Sequence, residues 1–511
     1  MSVDREAEFI VVGSGSAGAV VARRLVDAGA HVLVLEAGGP DTSAAIHDPR
    51  RAFDLAGAPE DWAFETVPQP GAAGRRIPWP RGKVLGGSSA TNGMVWIRGA
   101  PADFDHWSYL GNAGWAYADV LPLFRRMEDF DRGASELHGV GGPVRITTDW
   151  ERGEIHHAIV AGAAELEIPF NDDPNGSEIL GVSFIQFNIR DGRRETAAVA
   201  YLRPIAASAA LEVLTGAHVQ RLLFDGARVT GVELELDGRL ERARAAREVV
   251  LSAGVIGSPQ LLLLSGIGPA EELAALGIAP RVDLPGVGAN LHDHIHVPLI
   301  YATERPVDSG GEGLSPIQAE IFWRSDPRLP VPDLQPVYFN RPMYQPGMEG
   351  PSQGFSIGVL IVRPASRGRL ALASARPADP PLMDPSTYGC AVDLDTMLAG
   401  VELSRALAGT AAMGEWGARE IHPGSDVEGE ALEHYVRART LSSHHQVGTC
   451  KMGIDAEAVV DARLRVYGLE GLSVADASIM PAVTSGNTHA PATMIGERAS
   501  DLLLERHGAA R

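Results

Sequence analysis

The sequence predicts an α/β protein in two parts, a doubly wound domain built on a parallel sheet and a second domain containing antiparallel strands. Three observations carry this reading. Residues 8–39, EFIVVGSGSAGAVVARRLVDAGAHVLVLEAGG, run as strand, glycine-rich turn, helix and strand. The chain has 511 residues, more than one hydrophobic core usually holds. Residues 333–340, DLQPVYFN, and 355–374, FSIGVLIVRPASRGRLALAS, read as further strands, the second predicting a hairpin around RPASRG.

Each element of the first unit has a physical reason. The apolar run 9–12, FIVV, suits a parallel strand covered on both faces. Gly13, Gly15 and Gly18 follow as G-x-G-x-x-G, residues 17–28 have helical composition, and HVLVL forms a second strand that Glu36 ends. This is the spacing of a dinucleotide fingerprint of the Rossmann type. Gly13 permits the tight turn, Gly15 lets the backbone approach a pyrophosphate, and Gly18 lets helix and strand pack closely. The helix start offers free N–H groups and partial positive charge to phosphates. Glu36 can accept hydrogen bonds from both ribose hydroxyls and disfavours a 2′-phosphate. The motif alone does not separate NAD from FAD.

Composition narrows the function classes. Lys plus Arg total 44 and Asp plus Glu 65, a formal charge of −21 that opposes nucleic-acid binding. The two cysteines, Cys390 and Cys450, form no Cys-x-x-Cys pair, so a reducing, cytoplasmic setting is expected. The most apolar stretch, VVLSAGVIGSPQLLLLSGIG, is broken by glycines and a proline, so no membrane span is expected. The start MSVDREAE has mixed charge and runs into strand-forming residues, so no cleaved signal is expected.

Two longer segments, RGKVLGGSSATNGMVWIRGAPADFD (81–105) and GVIGSPQLLLLSGIGP (254–269), resemble the two signatures of the glucose–methanol–choline oxidoreductases. LPGVGANLHDH, HHQVGTCKMG, VADASIMP and SGNTHAPATMIGERASDLL are similar to that family too, so the resemblance covers nearly the whole chain. Thr91 and Val255 depart from the usual residue types of the signatures. The resemblance implies FAD, oxidation of a small-molecule alcohol, and dioxygen or another acceptor for the electrons. It implies a discontinuous FAD-binding domain (1–155, 196–295 and 440–511) and a substrate domain (156–195 and 296–439) with an antiparallel sheet flanked by helices. Monomer and homodimer are both open.

By similarity, Val84, Asn92, Gly93, Met94 and Val95 line the flavin, and Gly87 belongs to the glycine-rich backbone laid against its ring. Ser16, Ala17, Glu36 and Ala37 hold the adenosine and pyrophosphate, Val219 pairs with the adenine, and Asp476 and Ala477 are the late-chain contacts. His444 beside the flavin and Thr488 complete the expected cofactor residues. Some relatives attach FAD through a histidine that aligns with Thr91, and a threonine hydroxyl has no comparable reactivity, so FAD is expected to be non-covalent.

Oxidising an alcohol removes a proton and a hydride from one carbinol. Histidine suits the proton transfer. By similarity the base is His445, with Asn487 orienting the hydroxyl and developing alkoxide, while His444 points away from the carbinol. The segment after Asn487 has helical spacing, with Met494, Ile495, Ala499, Leu502 and Leu503 as an apolar stripe and Pro491 in the first turn. Its positive end would face the flavin's N1 and C2 carbonyl. The role of His489 stays open. The alternative on the same fold is a hydroxynitrile lyase or another flavin reaction.

Several features are read as decoys. His292, His294 and His296 alternate as strand neighbours would in a metal site, but the family reading is loop packing near the flavin with no metal. His156 and His157 are isolated, and Cys450 lacks an oriented base. Residues 59–80 and 306–315 are loops that either gate the site or lie inert on the surface. Gln318, Glu320, Phe322, Tyr338 and Asn340 are candidate roof residues over the substrate.

Overall fold

The computed structural model describes residues 5–308 and 313–508. The unbroken apolar runs become strands covered on both faces, with Phe9–Val12 and Val32–Leu35 almost wholly buried. In the first sheet the order is Leu211–Thr215, Val32–Glu36, Arg5–Val12, Arg239–Leu251, Arg228–Leu236 and His218–Asp225, with Leu472–Val474 also paired to Arg239–Leu251. Five of these strands run parallel, and the last two of the ordered path return antiparallel. Val12 stands opposite both Leu35 and Leu251, and Leu251 opposite Val474. The parallel strands therefore finish level, and the turns after them gather at one edge, where open α/β sheets bind ligands.

Helix Gly18–Asp27 covers this sheet with Ala19, Val20, Val21, Ala22 and Leu25 buried. The expected C-terminal helix forms as His489–His507, and its stripe of Met494, Ile495, Ala499, Leu502 and Leu503 is buried. The two helices touch at Gly496, where a Cβ would lie 2.6 Å from the Ala17 carbonyl oxygen.

The second sheet is antiparallel, in the order Arg419–His422, Ile295–Ala302, Gly354–Ile361, Val337–Phe339, Ile317–Phe322 and Gly181–Phe184, with Leu441–Ser442 also paired to Ile295–Ala302. Helices Glu154–Glu165, Ala391–Ala408 and Gly429–Arg439 pack on it around a separate core that includes Val297, Leu299, Ile357, Val359 and Val401. Mixed α/β architecture with a parallel and an antiparallel sheet is thus observed.

The hairpin expected around RPASRG does not form. Gly354–Ile361 has Ile295–Ala302 on one edge and Val337–Phe339 on the other, so no edge is free for a return strand. The chain instead leaves the sheet, Gly368 exchanges backbone hydrogen bonds with Leu291, and Arg369–Ala371 pairs with Leu382–Asp384. No helix among the described residues is long and apolar enough to cross a membrane. Of the expected loop 306–315, residues 309–312 lie outside the described residues.

Candidate active site

A long cavity starts at the level strand ends of the first sheet and reaches the second sheet. Its walls include Val12, Gly13, Gly15, Ser16, Ala17, Glu36 and Ala37, then Ser252–Gly254, Asp476 and Ala477. Gly13 holds φ +98, and a Cβ there would lie 2.4 Å from the Ser252 carbonyl oxygen, so only glycine makes this turn. Gly18 does not line the cavity. A Cβ on it would lie 2.1 Å from the Gly13 carbonyl oxygen, so it serves the close helix–strand approach expected of it. Gly15 and Gly87 face each other across the cavity floor, where a Cβ on Gly87 would come within 2.8 Å of the Gly15 Cα. These cradles fit a flat, phosphate-bearing cofactor lying against backbone.

Glu36 is buried and accepts hydrogen bonds from Ser14 N at 3.1 Å, Ser14 Oγ at 2.6 Å and Gly38 N at 2.8 Å. A carboxylate offers about four acceptor sites, so these three leave capacity for roughly one cofactor hydroxyl. Burial pushes its pKa up against those three hydrogen bonds. Asp476 accepts from Gly254 N at 3.0 Å and Ser478 N at 2.8 Å, and from the Ser258 hydroxyl. It ties helix Gly254–Leu264 to the last strand's turn.

The middle of the cavity is walled by Thr91, Asn92, Gly93, Met94 and Val95 and by Val219. Met94 stands at φ +61, and its N–H donates to Asn92 Oδ1 at 3.0 Å. Val84 is not on this wall. Its side chain is fully buried in a small cluster with Ile46, Leu55 and Ala90. Sequence reading missed Arg194, which is buried and donates to the Ile46 carbonyl at 2.7 Å, to Asn92 Oδ1 at 2.8 Å and to the Asn92 carbonyl. Burial pulls this guanidinium down to about 9, and it makes no ion pair among the described residues. It clamps the loop that forms the wall. Its only sequence signal was an arginine in a polar turn, which is uninformative.

At the far end the histidine loop enters the cavity. His444 stands at φ +64, which bends the chain, so both His444 and His445 lie on the wall. His444 was expected beside the flavin and away from the carbinol, and a place on this wall is compatible with that. Its carbonyl accepts from Arg81 Nη2 at 2.7 Å, and its Nδ1 is buried without a partner in the protein. The loop is fixed by Asp293, which accepts from His445 N at 2.8 Å, from Gln446 Nε2 at 3.0 Å and from the Ser442 hydroxyl. Burial pushes the Asp293 carboxyl up to about 7.

His445 Nε2 lies 3.1 Å from Asn487 Nδ2, and both residues line the cavity. Burial first, then the neighbouring imidazoles and Arg81, hold His445 well below the usual histidine range, so its ring is neutral at pH 7. Asn487, Thr488 and His489 bring the start of the 19-residue C-terminal helix to the same wall. His489 Nδ1 is 2.9 Å from Ser16 Oγ, and its ring meets Trp96 edge-on at 5.6 Å. It is therefore joined to the phosphate turn.

The alternating histidines do not converge. The Asn290 carbonyl accepts from His292 Nδ1 at 2.6 Å, and Nε2 accepts from Val483 N. His294 meets His445, and His296 meets Ser443 Oγ. Among the described residues no group of three or more His, Cys, Asp or Glu could hold a metal ion. Cys450 is fully buried away from these walls, and burial raises its thiol. Of the roof candidates, Gln318, Glu320, Phe322 and Tyr338 are buried in the second sheet and none lines the cavity, whereas Ile317 does. Trp62, Phe64, Pro80 and Arg81 place parts of the early loop on the wall.

A family model described as GMC oxidoreductase matches residues 7–296, and a second with the same description matches 364–496. The chain is 38% identical over 535 aligned residues to the oxygen-dependent choline dehydrogenase of Brucella anthropi, covering 99% of this chain and 97% of that one. It is 37% identical to the mitochondrial choline dehydrogenase of Homo sapiens, covering 98% and 90%. Pyridoxine 4-oxidase from Mesorbium loti superposes with a TM-score of 0.93 at 33% identity, covering 99% of this chain and all of that one.

Proposed function

This chain belongs to the GMC oxidoreductases, a flavin-dependent family acting on CH–OH groups, and on that premise we propose that His445 is the base that takes the alcohol's hydroxyl proton. FAD, when bound, would supply the hydride acceptor, with dioxygen or another acceptor for the electrons. The observation that carries the reading is the 3.1 Å approach of His445 Nε2 and Asn487 Nδ2 on the cavity wall. An alcohol oxygen seated against both nitrogens can donate its proton to Nε2 and receive an N–H from the amide. Asn487 has no proton-accepting nitrogen, so proton transfer falls to the imidazole, which is neutral and ready to accept.

The cofactor rests on the turns after the strands. Gly13 to Ala17 meet the pyrophosphate, Glu36 and Ala37 the ribose, Val219 the adenine side, and Asn92 to Val95 with Asp476, Ala477 and Thr488 the flavin half. FAD is held non-covalently, because Thr91 offers only a hydroxyl where a linking histidine would stand. The parallel-sheet segments form the cofactor domain and the antiparallel-sheet segments the substrate domain.

The test is anaerobic stopped-flow reduction with an alcohol panel including choline, pyridoxine and benzyl alcohol. His445→Ala should slow flavin reduction by about 10²- to 10⁴-fold at equal FAD occupancy, with partial recovery at high pH. His444→Ala should change FAD retention or the flavin spectrum more than the rate. A larger rate loss in His444→Ala would reverse the assignment. Turnover of a cyanohydrin with no bleaching by any alcohol would favour a lyase.

A further inference from the structure

Asn487 is held from behind. Its Oδ1 lies 3.1 Å from Gln335 Nε2, and that nitrogen lies 2.7 Å from Glu320 Oε2. On the cavity side Asn487 Nδ2 reaches His445 Nε2, and His445 Nδ1 lies 3.0 Å from His294 Nδ1. One line of contacts thus runs from the second sheet, through the entry to the C-terminal helix, into the histidine loop. Glu320, Gln335 and His294 are fully buried, so bulk solvent does not reach these groups.

The line has one sense of donation. Gln335 Nε2 donates to Asn487 Oδ1, so Asn487 turns its amide N–H toward His445 Nε2. His445 is neutral and carries one N–H, so Nε2, which meets that donor, holds the lone pair and Nδ1 holds the proton. Burial holds His294 far down, at about 3, so its ring is neutral too, and its Nδ1 accepts from His445 Nδ1. The second hydrogen of Gln335 Nε2 goes to Glu320. A carboxyl oxygen accepts it whether Glu320 is ionised or, as burial favours, protonated up to about pH 8.

We propose that Gln335 and His294, backed by Glu320, are positioning residues that fix the Nδ1–H tautomer of His445 and turn the Asn487 amide N–H toward the substrate. This rests on the reading of His445 as base. The cavity wall then carries an imidazole lone pair met by an amide N–H, a contact that an alcohol O–H can enter, giving its proton to the imidazole and taking the amide N–H onto its developing alkoxide. The tautomer is set before substrate arrives.

The test uses the FAD-loaded full chain with ¹⁵N-labelled histidine. Signals of the His445 ring, identified by their loss in His445→Gln, should show a protonated Nδ1 and a bare Nε2. The opposite tautomer overturns the proposal. Gln335→Leu frees the Asn487 amide to turn over, and with choline or pyridoxine, whichever bleaches the flavin, reduction should slow roughly tenfold, less than the about 10²- to 10³-fold of losing a donor outright because a freed amide still presents its N–H part of the time. The alcohol's dissociation constant should move less than the rate. His294→Phe should transfer ring protonation of His445 toward Nε2. An unmoved tautomer in His294→Phe and an unchanged rate in Gln335→Leu reject the line. Should Gln335→Leu fail to load FAD, the wild-type and His294→Phe spectra still decide. Undiminished reduction in His445→Ala would instead refute the base, a separate outcome from a slow His445→Ala beside normal Gln335 and His294 variants.

Discussion

Replacing Asp293 by asparagine should make the protein's stability less sensitive to pH. Asp293 is 5% exposed and accepts three hydrogen bonds, yet among the described residues it makes no ion pair, and burial raises its folded pKa to about 7. An unfolded aspartate titrates near 3.9. A carboxyl whose folded value is raised binds its proton more tightly when folded. Its stabilising preference for the folded state is therefore fully present below about pH 4, lost progressively as pH rises, and gone above about pH 7. Between pH 5 and pH 8 the linkage relation gives a loss of about 3 kcal/mol, and still about 1 kcal/mol if the folded value were one unit lower. Asp293→Asn removes that titration but keeps an acceptor for the His445 N–H. Gln446 can turn its unpartnered Oε1 toward the new amide. Unfolding followed by flavin release and circular dichroism should show the variant gaining on wild type by about 3 °C between pH 5 and pH 8, taking the whole chain as one transition. Every other titrating group is common to both proteins and cancels in the difference. The same gap at both pH values would refute a protonated, buried Asp293.

Three shorter tests probe other parts of the reading. Gly18→Ala would drive a Cβ against the Gly13 carbonyl, so it should cost about 1–3 kcal/mol in thermal or urea unfolding and weaken FAD binding, measured by flavin fluorescence. Native protein should titrate with one equivalent of Ellman's reagent, from exposed Cys390, and with two only after denaturation, because Cys450 is sealed in the core. Acid precipitation should leave the yellow flavin in the supernatant, and colour in the pellet would mean a covalent link despite Thr91.

What was legible in the sequence follows from how far each feature depends on its neighbours along the chain. The fingerprint was readable because a glycine at φ +98 and a helix five residues later are local demands. The C-terminal helix was readable for the same reason, its stripe repeating at helical spacing. The hairpin around RPASRG was misread because pairing is decided far away: Gly354–Ile361 is claimed by Ile295–Ala302 and Val337–Phe339. Val84 sits beside the glycines that make the wall, but its apolar side chain finds Ile46 and Leu55 instead. Arg194 and Gln335 carried no pattern at all. Each matters through its hold on Asn92 or Asn487, and a contact spanning 102 or 152 positions leaves no periodic trace.

The adjacent histidines show why both kinds of information are needed. Adjacent side chains leave an extended strand on opposite faces, so sequence alone gives the two histidines different jobs, one at the carbinol and one beside the flavin. The chain is not extended there. Leu441–Ser442 is the last ladder contact with Ile295–Ala302, and beyond it Asp293 takes over the His445 N–H while Arg81 takes the His444 carbonyl. With its polar groups satisfied by side chains, the backbone can hold φ +64 at His444. Both rings reach the wall, yet they are not equivalent. His445 is hydrogen-bonded at both ring nitrogens, to His294 and to Asn487, whereas His444 Nδ1 has no partner among the described residues. An imidazole held at both ends has a defined orientation and tautomer, which a base acting on a hydroxyl requires. An imidazole with an open nitrogen is suited to meeting a bound group. The division of labour between the two histidines therefore lies in their hydrogen bonds, not in the faces from which they leave the chain.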